Sequence, residues 1–190
     1  MQFLKFAMKA LELKDIERTG WKVRKAKKPE SVADHSFSLA LLCSLYAKQE
    51  NLNEQKCVEL ALFHDLHETV CGDICSREFE HEQEISNAEK EECERKAIDS
   101  FSGLIPEKQK QKFKSLSLEY IDQKTPEAKF VRDLDLIEMC LQVLFYEKTG
   151  RINGDNSDFF RKTEREISTK TGLELFLSVK KAFENAKETK

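Results

Sequence analysis

Residues 125 to 148, TPEAKFVRDLDLIEMCLQVLFYEK, carry the strongest helix signature in the chain. Thr125 supplies an N-cap oxygen, Pro126 suits the first helical position, where no amide hydrogen is needed, and Glu127 sets a carboxylate against the positive helix end. A helix from Pro126 to Lys148 with so much apolar surface has to be covered by neighbours, which places it centrally. The rest of the chain offers helices as those neighbours. Only six glycines and three prolines occur in 190 residues, and apolar residues recur at helical spacing throughout. An all-α fold is therefore expected rather than any sheet architecture. A hydrophobic content of 39% in a chain of this length supports one substantial core and one domain spanning residues 1 to 190.

The remaining helices can be placed from their caps. Phe3, Phe6, Ala7, Ala10, Leu11 and Leu13 predict a first helix within residues 2 to 16 that covers the core, followed by a loop holding the basic run Lys22 to Lys28. Ser31 with Asp34 resembles a capping box for a helix to about Gln49, and Asn53 opens another that Gly72 ends. The stretch from Ser76 to Ile85 is acidic and predicts no element. Ser86 with Glu89 is a capping box for a helix to about Phe101, Pro106 starts one to Ile121, and two more are expected over residues 157 to 170 and 172 to 187.

Charge narrows the possible partners. The formal net charge is −3, so there is no general surplus of Lys and Arg to bind nucleic acid or an anionic membrane surface. No run approaches the roughly 18 apolar residues of a membrane span, and no signal peptide is evident at the N-terminus. The six cysteines form no Cys-x-x-Cys pair and read as reduced thiols, consistent with a cytoplasmic location. A small soluble partner is the expectation.

Polar chemistry concentrates in LALFHDLHETVCGDI, residues 60 to 74, where His64, Asp65, His67, Glu68, Cys71 and Asp73 interrupt an apolar run. Adjacent His64 and Asp65 can grip one cation, and Glu68, one turn beyond His64, can orient a water for hydrolysis. Further ligands must come from elsewhere in the chain. His35 shares an apolar face with Leu39, Leu42 and Tyr46 and should point inward. Asp133 and Asp135 both lie on the long helix, and periodicity leaves open which of them faces the core. Other readings compete for some of these residues. HETVC lacks the second histidine of a zinc-protease motif, Cys71 and Cys75 could join a histidine in a structural zinc site, and His67 could face solvent or a subunit interface. His81, in the acidic stretch, receives no role.

Taken in order, RTGW at 18 to 21, PESVADHS at 29 to 36, HDLHETVCGDI at 64 to 74 and TPEAKFVRDLDLIEM at 125 to 139 resemble the HD-domain metal-dependent phosphohydrolases, nearest to their 5'-deoxynucleotidase branch. The resemblance implies a single helical HD-domain bundle, with motifs over residues 18 to 148 and C-terminal helices over 157 to 187 completing it. It implies His35, His64, Asp65 and Asp135 as metal ligands, Asp135 being preferred because acidic Glu138 follows three residues later. It implies Glu68 and Asp73 in catalysis, with Arg18 on the substrate phosphate and Trp21 beside the sugar. The activity implied is hydrolysis of deoxyribonucleoside 5'-monophosphates by a homodimer. The mixed nitrogen and oxygen ligand set suits one Mn²⁺, Co²⁺, Fe²⁺ or Zn²⁺ ion. A different phosphate ester as substrate, or a metal-stabilised binding protein without turnover, are the alternatives.

Overall fold

A computed structural model describes residues 2–75 and 85–188. His81 and most of the acidic stretch lie outside the described residues. The helices run in the order α1 (Gln2–Leu11), α2 (Thr19–Val23), α3 (Val32–Tyr46), α4 (Glu54–Phe63), α5 (Glu68–Cys71), α6 (Asn87–Ser102), α7 (Glu107–Asp122), α8 (Pro126–Lys148), α9 (Ser157–Glu166) and α10 (Lys170–Glu188). Among the described residues there is no strand, only an isolated antiparallel bridge between Glu17 and Ser31. The fold is a single all-helical domain.

The caps read from the sequence form as expected. Ser31 Oγ accepts from the Asp34 amide while Asp34 Oδ2 accepts from the Ser31 amide, and Ser86 and Glu89 repeat the exchange at α6. Thr125 Oγ1 accepts from the Ala128 amide, with Pro126 at the first position of α8. Gly72 ends α5 at φ 77°, a conformation glycine reaches without steric cost.

α8 is the axis of the bundle, and it packs against α3, α4, α7, α9 and α10. One core surrounds it, with Leu39, Leu60, Phe130, Leu134, Ile137 and Phe176 all buried. A second core joins Leu13, Val32, Leu66, Ile98, Phe101 and Phe113. Leu60 belongs to the first core and Leu66 to the second, so the segment between them, which carries His64 and Asp65, crosses from one core to the other.

Three local expectations change. The helix opened at Asn53 is broken: α4 stops at Phe63 and a turn over residues 64 to 67 precedes α5, because Leu60 and Leu66 are drawn into different cores. The loop after Arg18 contains the short helix α2, tied down by Thr19, whose Oγ1 donates to the Asp73 carbonyl at 2.8 Å. On α1 only part of the apolar face is covered. Phe6 packs edge-on to Phe101 at 6.0 Å, whereas Phe3, Leu4, Met8 and Leu11 are exposed.

Asp133 has a structural task. Its carboxylate accepts from the Ser168 and Thr169 amides at 3.1 and 2.7 Å and from Thr169 Oγ1 at 2.7 Å, clamping the α9–α10 turn to α8. Thr169 Oγ1 in turn accepts from the Gly172 amide at 3.1 Å. A side chain at Gly172 would bring Cβ to 2.7 Å from Asp133 Oδ2, so this approach requires glycine. Asp133→Ala is expected to cost about 1–3 kcal/mol through the unpaired amides. Thermal denaturation checks this, and an unchanged midpoint would remove the clamp from the account.

Candidate metal centre and active site

α3, α4 and α8 meet where each carries its buried polar residue. The capping box at Ser31 starts α3 so that His35 lies one turn inside, facing α8. His64 is the residue at which α4 ends. Asp135 lies in the third turn of α8. One ligand atom from each of His35, His64 and Asp135 can be chosen so that all lie within 4.8 Å of one another. Asp65 adjoins them, its Oδ2 being 2.9 Å from His64 Nε2. The four residues named from the resemblance are brought together.

Hydrogen bonds set which atoms face the centre. His64 Nδ1 is 2.7 Å from the Ala61 carbonyl, which only accepts, so Nδ1 carries the proton and the Nε2 lone pair faces inward. His35 Nδ1 donates to Glu138 Oε2 at 2.6 Å, directing its Nε2 toward Asp135 Oδ1 at 3.2 Å. Both Nε2 atoms are buried without a hydrogen-bond partner, although carboxylate oxygens stand close by. Asp135 Oδ2 is occupied, accepting from Tyr120 at 2.6 Å and from Arg132 at 2.8 Å, which leaves Oδ1 for the centre. Two buried imidazole lone pairs beside two carboxylates fit a divalent cation, which relieves both the unpaired nitrogens and the accumulated negative charge.

The protonation preferences express the same crowding. Burial and Arg18 oppose charge on His35, yet Glu138 and Asp135 raise its pKa to about 10. Burial also opposes charge on Asp135 and Asp65, but His35 and Arg132 around the first, and His64 and Arg18 around the second, hold both well below the usual carboxylate range. A cation entering here would displace the imidazole proton.

The centre opens onto a cavity of about 360 Å³. Its lining includes the polar Arg18, His64, Asp65, Glu68, Asp73 and Asp135 and the apolar Ile121, Leu136, Met139 and Phe159. Arg18 is anchored by its backbone, which donates to the Glu30 carbonyl at 3.1 Å. Its guanidinium donates to Asp65 Oδ2 at 3.0 Å and to Met139 Sδ at 3.1 Å. Glu68 is buried with Oε2 unpartnered, and burial together with Asp65 and Asp73 raises its pKa well above that of an ordinary glutamate. Asp73 lines the cavity and also accepts from the Thr19 amide through Oδ2, so it anchors the residue next to Arg18.

Trp21 sits elsewhere. Its indole is 0% exposed, donates to Glu30 Oε1 at 2.7 Å, and packs on Tyr146 and Phe159 at centroid distances of 5.2 and 4.9 Å. It does not line the cavity. Phe159, stacked on it, does.

Several residues enter that the sequence reading left without a role. Glu138 had a visible signal, three residues beyond Asp135. Tyr120 had none, since its tie to Asp135 spans two helices. His67, which the sequence left able to face solvent or an interface, is buried and lines the cavity. Among the described residues, the groups able to converge on a cation are His35, His64 and Asp135, and Glu30, His35 and Glu138. The second is a backing network, because Glu138 already holds His35 and Glu30 holds the Trp21 indole. No cysteine belongs to either, which removes the support for a structural zinc site at Cys71 and Cys75.

Asp135→Ala should empty the centre of metal while Asp133→Ala leaves it loaded. Elemental analysis of the purified variants decides this, and the reverse pattern would exchange the roles of the two aspartates.

Comparison with known proteins agrees with the geometry. The HD domain family matches residues 10–173. 5'-Deoxynucleotidase HDDC2 from Xenopus laevis is 38% identical over 163 residues, covering 86% of this chain and 77% of the relative, and its Homo sapiens counterpart is 37% identical with coverage of 86% and 76%. 5'-Deoxynucleotidase hdd1 from Schizosaccharomyces pombe is 38% identical, covering 77% of this chain and 73% of the relative. Among solved structures, a conserved hypothetical protein from Pyrococcus furiosus superposes with a TM-score of 0.74 at 27% identity, covering 94% of this chain and 99% of the other. The convergence of His35, His64, Asp65 and Asp135 and these similarities lead to one conclusion: the chain belongs to the HD-domain family.

Proposed function

We propose that this protein is a metal-dependent 5'-deoxynucleotidase, releasing phosphate from deoxyribonucleoside 5'-monophosphates. The observation that carries the reading is the placement of Arg18 and Glu68 on one cavity wall with the buried His35, His64, Asp65 and Asp135 centre. These four residues would hold one divalent ion, for which Mn²⁺, Co²⁺, Fe²⁺ and Zn²⁺ are suitable. Such an ion supplies Lewis-acid polarisation of the phosphoryl group and lowers the pKa of water.

The chain's own residues supply the rest. Arg18 offers a planar fork to two phosphate oxygens, already preorganised by Asp65 and Met139. Glu68 Oε2, having no partner, is free to align the attacking water and take its proton. The water oxygen bonds to phosphorus as the bond to O5' breaks, and a proton is returned to O5' as the nucleoside leaves. Asp73 fixes the Arg18 segment through Thr19. Trp21 acts through packing, by supporting Phe159, which stands on the cavity wall where a sugar or base would lie. Because α9 contributes Phe159 and Lys162 to the cavity, the functional unit extends past the motif region to the C-terminal helices.

Free-phosphate release from matched deoxy- and ribonucleoside monophosphates, cyclic nucleotides and other esters, across several divalent metals, tests the reading. A deoxy preference is expected, and equal rates on ribonucleotides would end the sugar assignment. Glu68→Gln should keep bound metal and lose about 10²–10⁴-fold in turnover. Undiminished turnover would remove Glu68 from proton transfer.

A homodimer is the assembly proposed. α3 exposes Phe37, Leu41 and Leu45 at four-residue spacing, and α8, packed on α3, exposes Leu141 and Phe145, an apolar stripe suited to a second copy. A cytosolic location accords with six free cysteines. Light scattering should give twice the 22.1 kDa chain mass, and Leu41→Glu should return it to the single-chain value. A wild-type mass of one chain would end this assignment.

A further inference from the structure

His67 stands out among the buried polar residues that the catalytic reading leaves unused. It is 4% exposed, it lines the cavity, and neither of its ring nitrogens has a hydrogen-bond partner. Leaving two buried imidazole nitrogens unpaired is costly, so the group is placed to meet something that enters the cavity. It closes the turn between α4 and α5, two residues after Asp65 and immediately before Glu68, and the electrostatic influence of Lys90 and Glu94 on it places α6 on its other side.

On the nucleotide reading above, the position of His67 limits what it can touch. The phosphate belongs to the metal centre and Arg18. The flat base suits the apolar side chains that line the cavity, Ile121, Leu136, Met139 and Phe159. His67 lines the same cavity directly before Glu68 and two residues after Asp65, so the part of the nucleotide nearest to it is the sugar that adjoins the phosphate. The free polar group of a deoxyribose there is the 3'-hydroxyl, which can both donate and accept and so can pair with either ring nitrogen. We infer that His67 is a substrate-contacting residue that hydrogen-bonds the 3'-hydroxyl of the bound deoxynucleotide.

The test compares kcat/KM for a deoxynucleoside 5'-monophosphate and its 2',3'-dideoxy counterpart in the wild type, His67→Ala and His67→Gln, with metal content and melting temperature measured on each protein. The wild type should favour the 3'-hydroxyl substrate by about tenfold. His67→Ala should bring the ratio close to one by slowing the deoxy substrate alone, and His67→Gln, which keeps a donor and an acceptor, should restore part of it. If His67→Ala does not fold, His67→Phe retains a ring without hydrogen-bonding atoms and reads the same ratio. A ratio unchanged by these substitutions, with both substrates falling together, would make His67 a packing residue and overturn the inference. Equal wild-type rates on both substrates would also overturn it while leaving the deoxynucleotidase reading intact. Absence of phosphate release from either nucleotide by the wild type would overturn both.

Discussion

The 2.6 Å contact between His35 Nδ1 and Glu138 Oε2 determines how the interior of this protein is used. It joins α3 to the central helix α8 through two buried polar groups, and by occupying one ring nitrogen it turns the other toward Asp135. Asp135, three residues before Glu138 on the same helix, then faces the free nitrogen. One helical turn of α8 thus supplies both the carboxylate that orients the imidazole and the carboxylate that stands beside its other nitrogen. Removing Glu138 would leave His35 buried with neither ring orientation nor tautomer defined.

The same economy governs the surroundings. Both aspartates of the centre have one oxygen held by an arginine of the chain: Asp135 by Arg132, with Tyr120 added, and Asp65 by Arg18. Arg18 therefore does two things at once, neutralising Asp65 and presenting its guanidinium to the cavity. Glu68 differs from these, since one of its oxygens is buried without a partner. His67 shares this unpaired condition and faces the same cavity.

Much of the fold was legible from local chemistry. Capping at Ser31, Asn53, Ser86 and Thr125, and the glycine stop at Gly72, depend on contacts within a few residues, which is why they could be read before any tertiary information. The break between α4 and α5 could not, because it follows from Leu60 and Leu66 entering separate cores. Trp21 shows the other limit. The family resemblance implied a place for it beside the sugar, but α2 turns the indole into the core while Arg18 faces the cavity.

By itself the sequence determined that the chain is all-helical and that α8 is central, because residue type, spacing and capping are properties of short segments, while the grouping of His35, His64 and Asp65 with an aspartate of α8 came from the family resemblance. Periodicity left Asp133 and Asp135 open and the family resemblance favoured Asp135; the tertiary structure sets Asp135 beside His35 and Asp133 on the α9–α10 turn. The two lie two residues apart on one helix, so their directions differ by about 200°, and which direction meets His35 and which meets the α9–α10 turn depends on how distant helices pack around α8. The burial of His67 in the cavity wall was decided in the same way, by α6 closing over a turn whose own residues do not encode that contact.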